Sequence, residues 1–248
     1  MTERANIPEK TLRARRRYLV MASACVLLAA LAAALLALPD LFAAGAGGEA
    51  AAGMAASDAL GAAGAASMLE VDATSTAGAL GIDACPRWLY LVGTCVLVAV
   101  VEELVFRGLL LRAVRRVCGP KATIVATAVV FAALHGLPIG IEGDPAAELV
   151  AASLTLKFLE ALAFGIVLAA MLFRGGTLPL VIALHAVFDI IYFAGPVLIG
   201  GDFPATYAAT TPAGFASLAA ATLILAIPAA CALRFPESSF SLGFPEPH

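Results

Sequence analysis

The stretch WLYLVGTCVLVAVVEELVFRGLLL, residues 88–111, decides the fold. At about 1.5 Å per residue a helix of this length crosses a hydrocarbon core about 30 Å thick. Its apolar side chains make lipid the natural solvent, yet its second half carries Glu102, Glu103 and Arg107. An ionisable side chain at bilayer depth costs about 2.5 kcal/mol or more, so three of them in one span mark a functional site.

The rest of the chain agrees with a membrane setting. Of 248 residues, 62% are hydrophobic and 13% charged, about half the charged fraction of a soluble domain. That is too little polar surface to cover a soluble core of this size. The formal net charge is −3, and basic residues run together only in the N-terminal arm, which points away from nucleic acid and strongly charged substrates. Cys25, Cys85, Cys95, Cys118 and Cys231 are odd in number and lack a C-x-x-C spacing, so they read as small apolar residues rather than a disulfide framework.

Six spans are predicted, near Tyr18–Leu38, Trp88–Leu111, Thr123–Leu137, Leu149–Phe173, Leu178–Ile199 and Ala213–Leu233. The third is the shortest; it spans only if Ala122, Pro138 and Ile139 lie in the interface, and a re-entrant segment is its alternative. With the N-terminus inside, twelve basic residues are cytoplasmic (Arg4, Lys10, Arg13, Arg15, Arg16, Arg17, Arg112, Arg115, Arg116, Lys121, Arg174 and Arg234) and only Arg87 is outside. By the positive-inside rule both termini are cytoplasmic. Asp40, Glu49, Asp58, Glu70, Asp72, Asp83, Glu142, Asp144, Glu148 and Asp202 all fall on the outer side. The first span follows Arg13–Arg17 as a signal peptide would, but its apolar core of about 21 residues exceeds the usual range of about 7–15, so it is expected to be retained.

The expected organisation is a basic arm and first span (1–38), an external Ala/Gly-rich loop (39–87) with a short helix near Ala55–Leu69, a catalytic helical core (88–199), and a C-terminal span and tail (200–248). The fold class is an all-α polytopic transmembrane bundle in the cell membrane, with the lipid bilayer as its first partner.

Besides Glu102, Glu103 and Arg107, the spans hold His135, Lys157, Glu160, His185 and Asp189. Glu103 and Arg107 stand four apart on one helix face and can neutralise each other, whereas Glu102 is turned about 100° away and needs another partner. His185 and Asp189 repeat the four-residue spacing, as do Phe131 and His135. Lys157 and Glu160 are expected to form a local pair, with Lys157 snorkelling to the interface. His248 is terminal and reads as solvent-exposed. Counted from the cytoplasmic ends, Glu102 and His185 lie about 15 Å deep and His135 and Asp189 about 21 Å deep. Three helices thus bring two carboxyls and two imidazoles into one layer.

A carboxylate beside a histidine, shielded from bulk water, can hold and deprotonate a water molecule. Glu102 with His135 fits that task. Hydrolysis of an amide also needs donors for the developing oxyanion, and His185 with Asp189 is placed to supply them. An ionised Asp189 would repel an oxyanion, so it must either be protonated or orient His185 through its ring N–H.

These residues carry a resemblance. Glu102-Glu103-Leu104-Val105-Phe106-Arg107, the Phe-x-x-x-His of Phe131 to His135, and the His-x-x-x-Asp of His185 to Asp189 resemble, in order and separation, the three motifs of the CPBP (Abi) family, which includes the type II CAAX prenyl endopeptidases. The resemblance covers about Trp88 to Phe193. It implies an all-helical intramembrane glutamic endopeptidase in which Glu102 with His135 activates water, His185 and Asp189 stabilise the oxyanion, and Glu103, Arg107 and Phe131 support the site. The prenyl proteases carry Asn where this chain has Asp189, so a prenylated substrate is not implied; a membrane-associated protein or lipidated peptide is the expected substrate class. No cofactor is expected. Zinc is the alternative, since Glu, His and Asp are acceptable ligands, but His-Glu-x-x-His is absent.

Two other functions compete with the hydrolase. A non-catalytic scaffold or bacteriocin-immunity protein would use the same polar cluster as packing glue between helices. A proton-coupled carrier would relay protons through it, although no internal repeat supports that reading.

Overall fold

A computed structural model describes residues 9–47, 86–137, 147–200, 203, 209 and 211–234. The expected helix near Ala55–Leu69, together with Arg4, Cys85, Pro138, Ile139, Glu142, Asp144, Asp202 and His248, lies outside the described residues.

The described residues form six helical rods. They are α1 (Glu9–Gly47), α2 (Arg87–Glu103) with its continuation, α4 (Pro120–His135), α5 (Ala147–Phe173), α6 (Leu178–Gly195) and α7 (Pro212–Arg234). The continuation of α2 is a π-helical turn over Leu104–Leu110 followed by a short α3, Leu111–Arg115. A second π-helical turn, Pro196–Gly200, extends α6. Five rods are long and apolar enough to cross a membrane. The exception is α4, whose 16 residues reach only about 24 Å at about 1.5 Å each. It starts at Pro120 and stops at His135 because Gly119, Pro120 and Gly136 bound it, a proline at the first helical position and a glycine beyond the last.

Contacts between rods set their directions. Tyr18 of α1 donates to the carbonyl of Pro228 in α7 (3.3 Å) and Ser217 of α7 donates to that of Ala33 (2.7 Å), so these helices are antiparallel. Thr222 reaches the carbonyl of Leu156 (3.5 Å) and Arg174 that of Ala232 (3.0 Å), making α5 and α7 parallel. Gly165 of α5 lies against Ala128, and Gly136 against Phe158, so α4 and α5 are antiparallel; a Cβ at either glycine would sit 3.1–3.2 Å from its neighbour. Arg87 donates to the carbonyl of Leu198 (3.4 Å) at one end of the α2–α6 pair and Glu103 meets His185 at the other. Direction therefore alternates from rod to rod, α4 included; of the six predicted spans, five are long enough to cross, and α4 is a shorter apolar helix packed on α5. The start of α1 and the end of α7 share one end of the bundle.

At that end α5 stops in a Schellman turn. Gly176 N–H donates to Met171 (2.9 Å) and Gly175 N–H to Leu172 (3.2 Å), with Gly175 at φ +90°, a conformation glycine adopts without strain. Thr177 then caps α6 by accepting from Leu180 N–H at 3.3 Å. Arg174, counted in the sequence as a loop cation, is buried here. It donates to the carbonyls of Ala170 (3.4 Å) and Ala232 (3.0 Å) and lies 4.0 Å from the Tyr18 ring centroid, tying α5, α7 and α1 together. Leu97, Leu109, Leu223 and Ile227 are more than half exposed, an outward apolar belt of the kind that faces lipid. The core is Ala-rich, with Ala22, Ala29, Ala30, Ala169 and Ala170 at most 1% exposed, so helix backbones can approach closely.

Candidate active site

The site lies where α2, α4 and α6 meet, with α5 behind it. Glu103 is fully buried and accepts two hydrogen bonds on Oε1, from Arg107 Nη1 and from His185 Nδ1, each at 2.8 Å. The first is the ion pair expected from the spacing. The second crosses 82 residues of sequence and was not foreseen: the orientation of His185 through its ring N–H falls to Glu103, whereas Asp189 Oδ2 sits 3.4 Å from the other ring nitrogen, Nε2. The π-helical turn over Leu104–Leu110 lies directly after Glu103 and is of the kind often found at functional sites.

Glu102 projects into the space between two imidazoles. Its Oε1 is 3.8 Å from His135 Nε2 and its Oε2 is 3.7 Å from His185 Nε2. Both separations exceed a hydrogen bond, so neither ring is tied up by the carboxylate. Among the described residues, nothing donates to Glu102 Oε2, although the atom is buried. His135 Nδ1 is 2.9 Å from the carbonyl of Phe131. A carbonyl only accepts, so Nδ1 carries the proton and a neutral His135 turns a lone pair on Nε2 toward Glu102. Likewise Nδ1–H of His185 is committed to Glu103, and Nε2 can donate only when the ring is imidazolium.

Aromatic rings hold these groups. Phe131 lies 4.3 Å from the His135 ring, 5.1 Å edge-to-face from Phe106 and 4.6 Å below the Arg107 guanidinium. Phe131 thus supports both the imidazole and the ion pair. Phe164 of α5 meets His185 edge-on at 5.0 Å. Sequence reading had not singled out Phe164; the available signal is its place on one helix face with Lys157 and Glu160.

The structure gathers all four proposed chemical residues, Glu102, His135, His185 and Asp189, and all three supporting ones, Glu103, Arg107 and Phe131. One expectation is corrected. Lys157 does not snorkel to the interface; it is 6% exposed, its Nζ lies 2.7 Å from Glu160 Oε2 and 4.9 Å from the Tyr192 ring centroid. A carboxylate and an aromatic face inside the bundle together hold the ammonium, so its stem has no need to reach outward.

Fold and site define the class: an all-helical polytopic membrane protein whose spans enclose a cluster of carboxyl and imidazole side chains. Residues 84–191 match the family model described as Type II CAAX prenyl endopeptidase Rce1-like. The match contains every site residue named above and ends within α6; the first and last rods lie outside it. No curated protein matches the chain, and no solved structure does.

Proposed function

We propose that the protein is a CAAX protease-like endopeptidase of the cell membrane that hydrolyses peptide bonds of membrane-associated proteins or lipidated peptides, using a water activated by Glu102. The observation that carries this reading is the Glu102 carboxylate standing 3.7–3.8 Å from two imidazoles that other groups orient. A reactant water can donate one hydrogen to Glu102 and the other to the Nε2 lone pair of His135. Its oxygen attacks the substrate carbonyl carbon as Glu102 takes the proton, and the carbonyl π pair moves onto oxygen. His185, as imidazolium, donates Nε2–H to that oxyanion. When the tetrahedral intermediate collapses, the C–N bond breaks, the proton on Glu102 passes to the leaving nitrogen, and a carboxyl and an amine are the products. No group is consumed, and the reaction needs no metal.

Glu103 and Arg107 position His185 in this scheme, since the pair fixes Nδ1–H and leaves Nε2 facing the reaction. Asp189 keeps the same nitrogen in its donor form. The catalytic unit is the helical core, 88–199. Both termini are assigned to the cytoplasm from the basic residues at the shared end of α1 and α7.

The test compares N- and C-terminal peptides of membrane proteins from cells carrying the native chain or Glu102→Gln at equal abundance. Termini that disappear with Glu102→Gln support the reading and identify the substrate. Identical profiles overturn it in favour of a non-catalytic scaffold or immunity protein. Cleavage is expected to survive strong chelation; loss restored by zinc would overturn the metal-free reaction.

A further inference from the structure

The reaction above leaves the Lys157–Glu160 pair without a task. The α5 stripe carrying Lys157, Glu160 and Phe164 faces the α6 stripe carrying His185, Asp189 and Tyr192, spaced as one face of a helix. Lys157 Nζ bonds Glu160 Oε2 at 2.7 Å and lies over Tyr192, whose ring stacks on Phe188 at 5.6 Å. Phe188 in turn packs 4.8 Å from Phe164, the ring that holds His185. On the other side, Phe158 is pressed against Gly136, the residue after His135. The ammonium is therefore built into the wall of the site, with packed rings leading from it to His185 and with the next residue, Phe158, against the end of α4.

Charge supplies the second argument. Among the described residues, the site and its wall contain four carboxyl groups (Glu102, Glu103, Glu160 and Asp189) and two basic side chains besides the histidines, Arg107 and Lys157. Arg107 is bonded to Glu103. Lys157 lies within electrostatic reach of Glu102, His135 and Asp189, and its partner Glu160 opposes it at Asp189, a reach that matters where water is scarce.

We propose that Lys157, held in place by Glu160, is a positioning residue of the hydrolytic site: its ammonium supplies the field that lets Glu102 and Asp189 stand together around His185. The inference rests on the endopeptidase reading above.

Terminal peptides are profiled in cells carrying the native chain, Glu102→Gln, Lys157→Arg, Lys157→Met or the double variant Lys157→Met/Glu160→Gln, and each purified protein is unfolded in bicelles. Termini that depend on Glu102 are expected to fall at least tenfold with Lys157→Met and to return with Lys157→Arg. The double variant leaves neither buried charge alone, so it is expected to recover stability while cleavage stays at least tenfold down. Recovery of native cleavage in the double variant would overturn the proposal and make the pair a packing element. A native chain that produces no Glu102-dependent termini would instead overturn the endopeptidase reading, and this inference with it.

Discussion

Two buried cations in this molecule are handled in opposite ways. Arg174, at the end of the bundle shared by the start of α1 and the end of α7, is bonded to two backbone carbonyls and stacked on Tyr18. Arg107, in the site, bonds a carboxylate that is shared with His185, and its Nη2 finds no acceptor among the described residues. Likewise no donor among the described residues reaches Glu102 Oε2, Glu103 Oε2 or Glu160 Oε1; outside the site, Arg115 Nε also lacks a partner. A buried polar group without a partner costs about 1–3 kcal/mol, and four of the five such atoms among the described residues lie in the proposed site and its wall. The clamp holds helices together; the site keeps bonding capacity in reserve.

The largest effect that could break this contrast is kinetic. Glu102→Gln keeps shape and removes the proposed base, and it is expected to lower the cleavage rate by about 10²–10⁴-fold while the unfolding midpoint stays with that of the native protein. A large loss of stability would show Glu102 to be a clamp of the Arg174 kind. Next comes Arg107→Met, which leaves Glu103 buried with only His185 as partner. Removing one member of a buried pair costs about 3–5 kcal/mol, so folded yield is expected to fall sharply and cleavage with it. Arg107→Met/Glu103→Gln is expected to regain yield but little activity, because the orientation of His185 is lost. A double variant that regains both would reduce the pair to packing.

Arg174→Met gives the reverse pattern. Losing hydrogen bonds from a charged donor costs about 1.5–3 kcal/mol, and bicelle unfolding is expected to show it. The cleavage rate per folded molecule is expected to remain native, since Ala170, Ala232 and Tyr18, to which Arg174 is tied, are not residues of the site.

Much of this contrast was legible in the sequence. The spans follow from length and hydropathy, because a bilayer demands long apolar helices and little else. Glu102, His135, His185 and Asp189 stood out because charge at membrane depth has no bland explanation in its own helix, and four-residue spacings sorted the faces. What was hidden depends on contacts between rods. Glu103 meets His185 across 82 residues, and no helical periodicity encodes which rods become neighbours. The π-helical turn after Glu103 has no composition signal; LVFRGLL reads as an ordinary helix. Lys157 was misjudged, and Arg174 is more deeply held than a loop position suggests, for one reason. The default for a long basic side chain near apolar surface is to reach water, and each instead has an acceptor and an aromatic face inside the bundle.

The smallest predicted effect probes that shared device. Tyr18 serves Arg174 in two ways: its ring lies under the guanidinium at 4.0 Å, and its hydroxyl donates to the carbonyl of Pro228 at 3.3 Å. Tyr18→Phe removes only the second, at a cost of about 0.5–1.5 kcal/mol for one neutral hydrogen bond. Tyr18→Leu removes the ring face as well and adds about 0.5–2 kcal/mol for the lost cation–π contact. If the clamp works as described, unfolding in bicelles ranks native, Phe, Leu, with Arg174→Met below Tyr18→Phe, and all of them cleave at the native rate per folded molecule. Equal stability of the Phe and Leu variants would mean that the ring contributes nothing beyond its hydroxyl. The comparison with Arg107 would then rest on hydrogen bonds alone, because Phe131 offers that guanidinium the same kind of ring face, at 4.6 Å.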